Sequence, residues 1–301
     1  MPAPHETTVE SLTVTRAGRP SRVSRWLACW RLLRAVIHAL HGGLICAVVF
    51  PFLDEEARRR RVGWWSRRML TVMGIRLETV GALQPAPVLL LANHVSWLDI
   101  LAIDAWRPVR FVSKADVRKW PLLGFMVACG GTLFIERERK RDALRVVHQM
   151  ADALRAGASV AVFPEGTTGA GPLLLPFHAN LLQAALSTEV AVQPIALRYA
   201  DRSTAFSAAP LYLGETSLLE SVWQVASADG LLAHVTALPS MNAGSADRRE
   251  MAHAAQDQIQ RVLDASATPN LSAATAAPQV EPLPCAATAA AARAAASASP
   301  R

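Results

Sequence analysis

Leu89-Leu90-Leu91-Ala92-Asn93-His94-Val95-Ser96-Trp97-Leu98-Asp99-Ile100 is an apolar run that ends in a histidine, with a carboxylate five residues further on. Its pattern reads as a buried strand that stops at Asn93, a turn carrying His94 and a helix that starts near Ser96. Five residues of regular helix turn through roughly 500°, which would leave His94 and Asp99 about 140° apart. The intervening turn is therefore what lets them meet. With Ser96 as N-cap, Asp99 takes the acidic third position of a capping box and faces the incoming chain. There it can accept a hydrogen bond from His94 Nδ1, which fixes the tautomer and frees Nε2 as a base. The same spacing also suits an acid that only caps a helix beside an ordinary loop histidine.

The chain of 301 residues has room for one sizeable core with appended segments. It is 51% apolar with a formal charge of +7, which suits an anionic membrane surface or a nucleic acid. The tryptophans gather toward the N-terminal part and not in an RNA-binding pattern, so the aromatic residues do not settle which of the two it is; no nucleic-acid partner is expected. Cys29, Cys46, Cys129 and Cys285 show no paired spacing, which predicts neither a disulfide framework nor a metal site and fits a reducing compartment.

Residues 1–24 are polar and Arg-bearing and read as disordered. Residues 25–74 read as membrane-anchoring helices. The apolar run Ala35 to Leu53 is 19 residues long, about one bilayer crossing, but it holds His38, His41 and Gly42-Gly43. A kinked or interfacial helix is the competing reading. Arginines flank both sides, with Arg22, Arg25, Arg31 and Arg34 before it and Arg58 to Arg61 after it. Basic flanks of this kind favour an anchor whose two ends face one anionic leaflet. The next helix, with Trp64, Trp65, Met69, Val72 and Met73, is expected to lie on the membrane; docking on the protein's own core is the alternative.

Residues 75–265 alternate strands with helices, which predicts an α/β layered domain with a mostly parallel sheet flanked by helices. Strands are expected at 77–80, 88–92, 109–113, 131–136, 159–163, 190–198 and 231–236. Helices are expected at 96–105, 116–129 with a break at Pro121, 142–156, 179–187 and 246–263. On the helix 142–156, Leu144, Val147, Ala151 and Leu154 form the apolar stripe, with Gly157 as C-cap. Residues 266–301 are Ala-, Pro-, Thr- and Ser-rich and read as a disordered tail.

Four stretches are expected at strand ends, where an open α/β sheet has its ligand crevice. They are Asn93 to Asp99, Gly131 to Arg137, Phe163-Pro164-Glu165-Gly166-Thr167-Thr168, and Val192 to Leu197. In this order and spacing they resemble the four blocks of the glycerolipid acyltransferase family, the 1-acylglycerol-3-phosphate acyltransferase type, over residues 75–240. The resemblance implies transfer of a fatty acyl group from acyl-CoA or acyl-ACP to the hydroxyl of a lysolipid, without a cofactor or metal. In that reading His94 is the catalytic base and Asp99 its orienting partner. Lys114 and Arg137 would meet an acceptor phosphate, Gly131 would allow close backbone approach, and Glu165, Gly166 and Thr167 would line the acceptor pocket. Arg137 also opens an Arg/Lys-rich run that reads equally as a solvated helix start.

One position departs from the family pattern: Thr168 stands where arginine usually follows Phe-Pro-Glu-Gly-Thr. A threonine cannot clamp a phosphate bidentately. Lyso-ornithine lipid is therefore an alternative acceptor to 1-acylglycerol-3-phosphate. An α/β hydrolase is a further alternative, against which stands the lack of a nucleophile elbow; Gly157-Ala158-Ser159-Val160-Ala161 runs into a strand. The expected location is the cytoplasmic face of the inner membrane.

Overall fold

A computed structural model describes residues 21–135, 140–244 and 247–267. Seven strands form one sheet in the order β1-β7-β6-β2-β5-β3-β4. They are β1 (Arg76–Val80), β2 (Leu89–Ala92), β3 (Arg110–Lys114), β4 (Leu133–Ile135), β5 (Val160–Val162), β6 (Val192–Ala200) and β7 (Leu232–Ala237). Only the β6–β7 pairing is antiparallel. The chain leaves β2 toward β3 on one side and returns from β5 to β6 on the other. That reversal of winding opens a crevice beyond the C-terminal end of β2.

Period-2 alternation sends the β2 side chains to two cores. Leu90 and Ala92 join Ile195, Leu197 and Tyr199 of β6 on one face, under α2 (Glu55–Val72) and α3 (Leu98–Trp106). Leu89 and Leu91 join Val160, Val162 and Val192 on the other, under α5 (Lys140–Arg155) and α8 (Arg248–Ala267). Between them, α4 (Leu123–Cys129) follows the break at Pro121, and a short 3-10 turn with α6 (Gln183–Leu186) occupies the expected 179–187 segment.

Several expectations need correction. The α5 stripe buries Val146, Val147, Met150, Ala151, Ala153 and Leu154, whereas Leu144 is 63% exposed. Leu144 lies roughly 100° round the helix from the Met150–Leu154 arc. Helix α7 (Leu218–Ser227) was not expected, although Ser217 and Glu220 carry a capping-box spacing and Ser217 Oγ accepts from Glu220 N–H. Residues 21–24 are not free: Val23 N–H donates to Ser227 O, and Asp229 N–H donates to Ser21 O. Helix α8 carries two residues of the expected tail, to Ala267. Residues 1–20 and 268–301 lie outside the described residues.

The two N-terminal helices divide. In α2, Met69, Leu70 and Val72, with Met73 beyond it, are buried in the sheet's core, so one face of this helix docks on the α/β domain. In α1 (Arg25–Leu44), continued by a π-helical turn and a 3-10 turn to Phe52, the polarity is reversed. Ala28, Ala35, His38, Gly42 and Gly43 are buried against the protein, while Trp26, Trp30, Leu33, Ile37, Leu40 and Leu44 face outward. Arg31 donates to the carbonyls of Ala226 and Ala228, and His38 Nε2 meets Trp65 O.

At the exit of α3 the buried Asp104 accepts from Val109 N–H at 3.1 Å, and burial pushes its carboxyl from 3.8 up to about 8. The folded state therefore holds a proton that the unfolded chain releases, and stability falls as pH rises from 3.8 to about 8. Asp104→Asn keeps the acceptor oxygen without the titration. Its stability advantage over the native chain should grow across that window to the order of 2–4 kcal/mol and level off above it. Urea unfolding of both proteins at pH 5 and pH 8 checks this; an equal difference at both pH values would refute it.

Candidate active site

Strand register places the site. β2 and β5 pair with Leu91 opposite Val162, so His94 and Glu165, each three residues further on, arrive level with one another. Glu165 Oε1 accepts from the His94 N–H at 2.7 Å, and the His94 carbonyl accepts from Gly169 N–H at 2.7 Å. On the other flank the Asn93 side-chain amide donates to Leu197 O at 2.9 Å and accepts from Leu197 N–H at 2.7 Å. It thus continues the ladder with β6 after the β2 backbone has turned away. His94 is held from both neighbouring strands.

Asp99 is the second residue of α3, one place earlier than expected. The Ser96 hydroxyl makes no cap; it is buried with no hydrogen-bond partner among the described residues, and the residue at the N-cap is Trp97. The acid itself satisfies the turn. Its Oδ2 accepts from Val95 N–H at 2.7 Å, Ser96 N–H at 2.9 Å and His94 Nδ1 at 2.8 Å, and its Oδ1 accepts from the Tyr199 hydroxyl at 2.7 Å. Trp97 Nε1 donates to Ser221 Oγ and pins the same turn to α7.

With a fully buried acid on Nδ1, the proton belongs there and Nε2 is left as the acceptor. Phe163 stacks on the imidazole at 4.0 Å between centroids and 12° between planes, covering one ring face. The side chain is 20% exposed, and no hydrogen bond to Nε2 occurs among the described residues. The arrangement can take a proton from a hydroxyl or thiol brought to that edge and return it to a leaving group.

Glu165, expected to hold acceptor hydroxyls, is buried, and its two oxygens accept from the backbone of His94 and of Leu175, the latter at 3.0 Å. It braces two loops. Burial pushes its pKa up against the opposing pull of those two N–H donors. Gly166, at φ +73°, closes a turn by donating its N–H to Phe163 O, and Thr167 is exposed beside it. Thr168 Oγ1 donates to Tyr212 O, so its hydroxyl serves the loop.

Lys114 is exposed at the C-terminal end of β3, on the crevice side of the sheet with β5 between it and β2. Gly131 is placed differently from the expectation. It precedes β4 and packs beside the Arg110 side chain, at the strand-entry end away from His94. A residue before a parallel strand and one after it are on opposite edges of the sheet, so Gly131 cannot offer close approach there. Likewise the second and fourth blocks contain strands β4 and β6 themselves. Arg137 lies outside the described residues.

The family model described as Acyltransferase matches residues 75–198. The lyso-ornithine lipid O-acyltransferase of Pseudomonas aeruginosa is 35% identical over 212 residues, covering 70% of this chain and 81% of that one. The chain belongs to the acyltransferase family. The 1-acyl-sn-glycerol-3-phosphate acyltransferase of Neisseria meningitidis is 36% identical over 215 residues, 70% of this chain and 82% of that protein. In fold, the acyltransferase is similar to the crystal structure of the 1-acyl-sn-glycerophosphate (LPA) acyltransferase from Thermotoga maritima. The TM-score is 0.63 at 19% identity, over 80% of this chain and 94% of that one.

The acyltransferase match takes in His94, Asp99 and Glu165 and stops one residue short of Tyr199. Asn93, Phe163 and Tyr199 escaped the sequence reading as site residues. A signal for Tyr199 was present: it ends the alternation Ile195, Leu197, Tyr199 on one face of a buried strand, where a phenol needs a partner for its hydroxyl.

Proposed function

We propose that this acyltransferase is a lysolipid O-acyltransferase in which His94 is the general base and Asp99 orients it. The acceptor hydroxyl gives its proton to His94 Nε2 as its oxygen attacks the thioester carbonyl of acyl-CoA or acyl-ACP. The tetrahedral adduct then expels the thiolate, which takes the proton back from the imidazolium, leaving an ester and a free thiol. Asp99 stabilises the transient imidazolium. No protein nucleophile, cofactor or metal is required, because the alcohol attacks directly. The observation that carries this reading is the buried, four-times hydrogen-bonded Asp99 on Nδ1 with Nε2 left to substrate.

The acceptor proposed first is 1-acylglycerol-3-phosphate, giving phosphatidic acid, with Lys114 and Arg137 as the cations for its phosphate. A second reading, acylation of lyso-ornithine lipid, draws on Thr168, whose hydroxyl is engaged with Tyr212 O and which offers no charge for a phosphate. The outward apolar face of α1 supports attachment to one leaflet of a membrane; the side proposed is the cytoplasmic face of the inner membrane.

The deciding experiment measures free-thiol release from one long-chain acyl-CoA by the full chain in detergent, with 1-acylglycerol-3-phosphate, with lyso-ornithine lipid and with neither. Release that requires an acceptor is expected, and the preferred acceptor separates the two readings. Equal release without acceptor would make the protein a thioester hydrolase.

A further inference from the structure

Asp99 uses its two oxygens unequally. Oδ2 serves His94 and two backbone N–H groups of the turn, while the hydrogen bond to Oδ1 comes from the Tyr199 hydroxyl, from a different strand. Tyr199 is 2% exposed and Asp99 is 0% exposed, so water does not substitute for either partner. The phenol is anchored by β6, whose register with β2 is extended by the Asn93–Leu197 pair, and it crosses to the first turn of α3. Toward the carboxylate this phenol is the donor and stays protonated, since burial and the neighbouring Asp99 hold its pKa well above the ordinary value.

We propose that Tyr199 is a positioning residue of the acyl-transfer site, which fixes the rotation of the Asp99 carboxylate through Oδ1 and draws off part of its negative charge. Through Asp99 it sets both the direction of His94 Nε2 and its basicity. This rests on the reading of His94 as the base. A hydrogen-bond donor on the far oxygen weakens the carboxylate's hold on a developing imidazolium, so removing it should make His94 a stronger base that is less well aimed. Among the described residues, the titratable groups facing the imidazole are Asp99 from α3 and Glu165 from the loop after β5, with Tyr199 of β6 behind Asp99. Only the last changes in the variant below.

The test compares the native full chain, Tyr199→Phe and His94→Gln in the acceptor-dependent thiol-release assay from pH 5 to pH 9, with melting temperatures measured alongside. Tyr199→Phe is expected to move the acidic limb of kcat/KM upward by about half a pH unit or more and to lower plateau kcat about three- to tenfold. KM for the acceptor should stay within about twofold. A purely structural role would lower the melting temperature and leave the limb where it was. An unmoved limb in Tyr199→Phe, with or without loss of kcat, overturns the proposal provided His94→Gln is inactive. A near-normal rate in His94→Gln instead removes the base assignment on which the proposal rests, so the two failures are told apart.

Discussion

Replacing His94 by alanine is expected to lower acceptor-dependent acyl transfer by about a thousandfold or more, with the unfolding transition moved by little. The geometry makes this the clean substitution. The imidazole is 20% exposed, and its structural contacts are one stacking partner, Phe163, and one hydrogen bond to Asp99. The contacts that fix the loop, from His94 N–H to Glu165 and from Gly169 N–H to His94 O, are made by backbone atoms and survive the change. Asp99→Ala would be a poor probe by comparison. It strands the buried N–H groups of Val95 and Ser96, each at about 1–3 kcal/mol, and confounds loss of the site with loss of the turn. Steady-state thiol release, with circular dichroism and thermal melting on the same preparation, decides the matter. A folded His94→Ala protein within tenfold of the native rate would exclude the imidazole as the base.

What could be read from the sequence was what depends on local periodicity. The Leu89–Ala92 run, the turn it needs before Asp99 and the succession of alternating elements all follow from period and turn chemistry. The meeting of His94 Nδ1 with Asp99 was legible because both ends lie within one turn. Pairings across strands were not. Glu165 reaches the His94 backbone because Leu91 and Val162 share a register, and no local pattern encodes which strands are neighbours. The same ignorance of strand order hid Tyr199, joined to Asp99 across 100 residues of chain. Gly131 was misplaced for a local reason: it opens the strand expected at 131–136, which puts it at the entry edge of the sheet whatever the strand order. For α2 the apolar and aromatic positions fit a membrane face or a core face, and that Met69 and Leu70 meet the sheet is a non-local fact the pattern does not carry.

Charging the outward face of α1 should detach the protein from membranes. Leu33, Ile37 and Leu40 are 51%, 57% and 58% exposed, and they form one stripe with Trp26, Trp30 and Leu44. Arg31 and His38 are turned inward to carbonyls of the protein and the other buried residues of the helix are small, so its large apolar side chains are presented to the surroundings. This inverts the polarity of a helix on a water-facing surface and matches one bathed in acyl chains. Each such side chain gains about 1–2 kcal/mol on leaving water, and a glutamate in its place adds a desolvation cost of similar or larger size. The triple change Leu33→Glu, Ile37→Glu and Leu40→Glu should therefore lower the ratio of bound to free protein by at least a hundredfold, moving the protein from the floated vesicle fraction to the bottom of the gradient in a flotation assay. Glutamate at the isolated exposed positions Leu144 and Leu219, 63% and 78% exposed, should leave the distribution unchanged. The substitutions spare α2, whose removal would open the core at Leu70 and Met73 and report on folding instead of attachment. A triple variant that still floats with vesicles would assign attachment to another surface. Exposed Trp120, just before α4, and Phe125, on α4, would then be the next to charge.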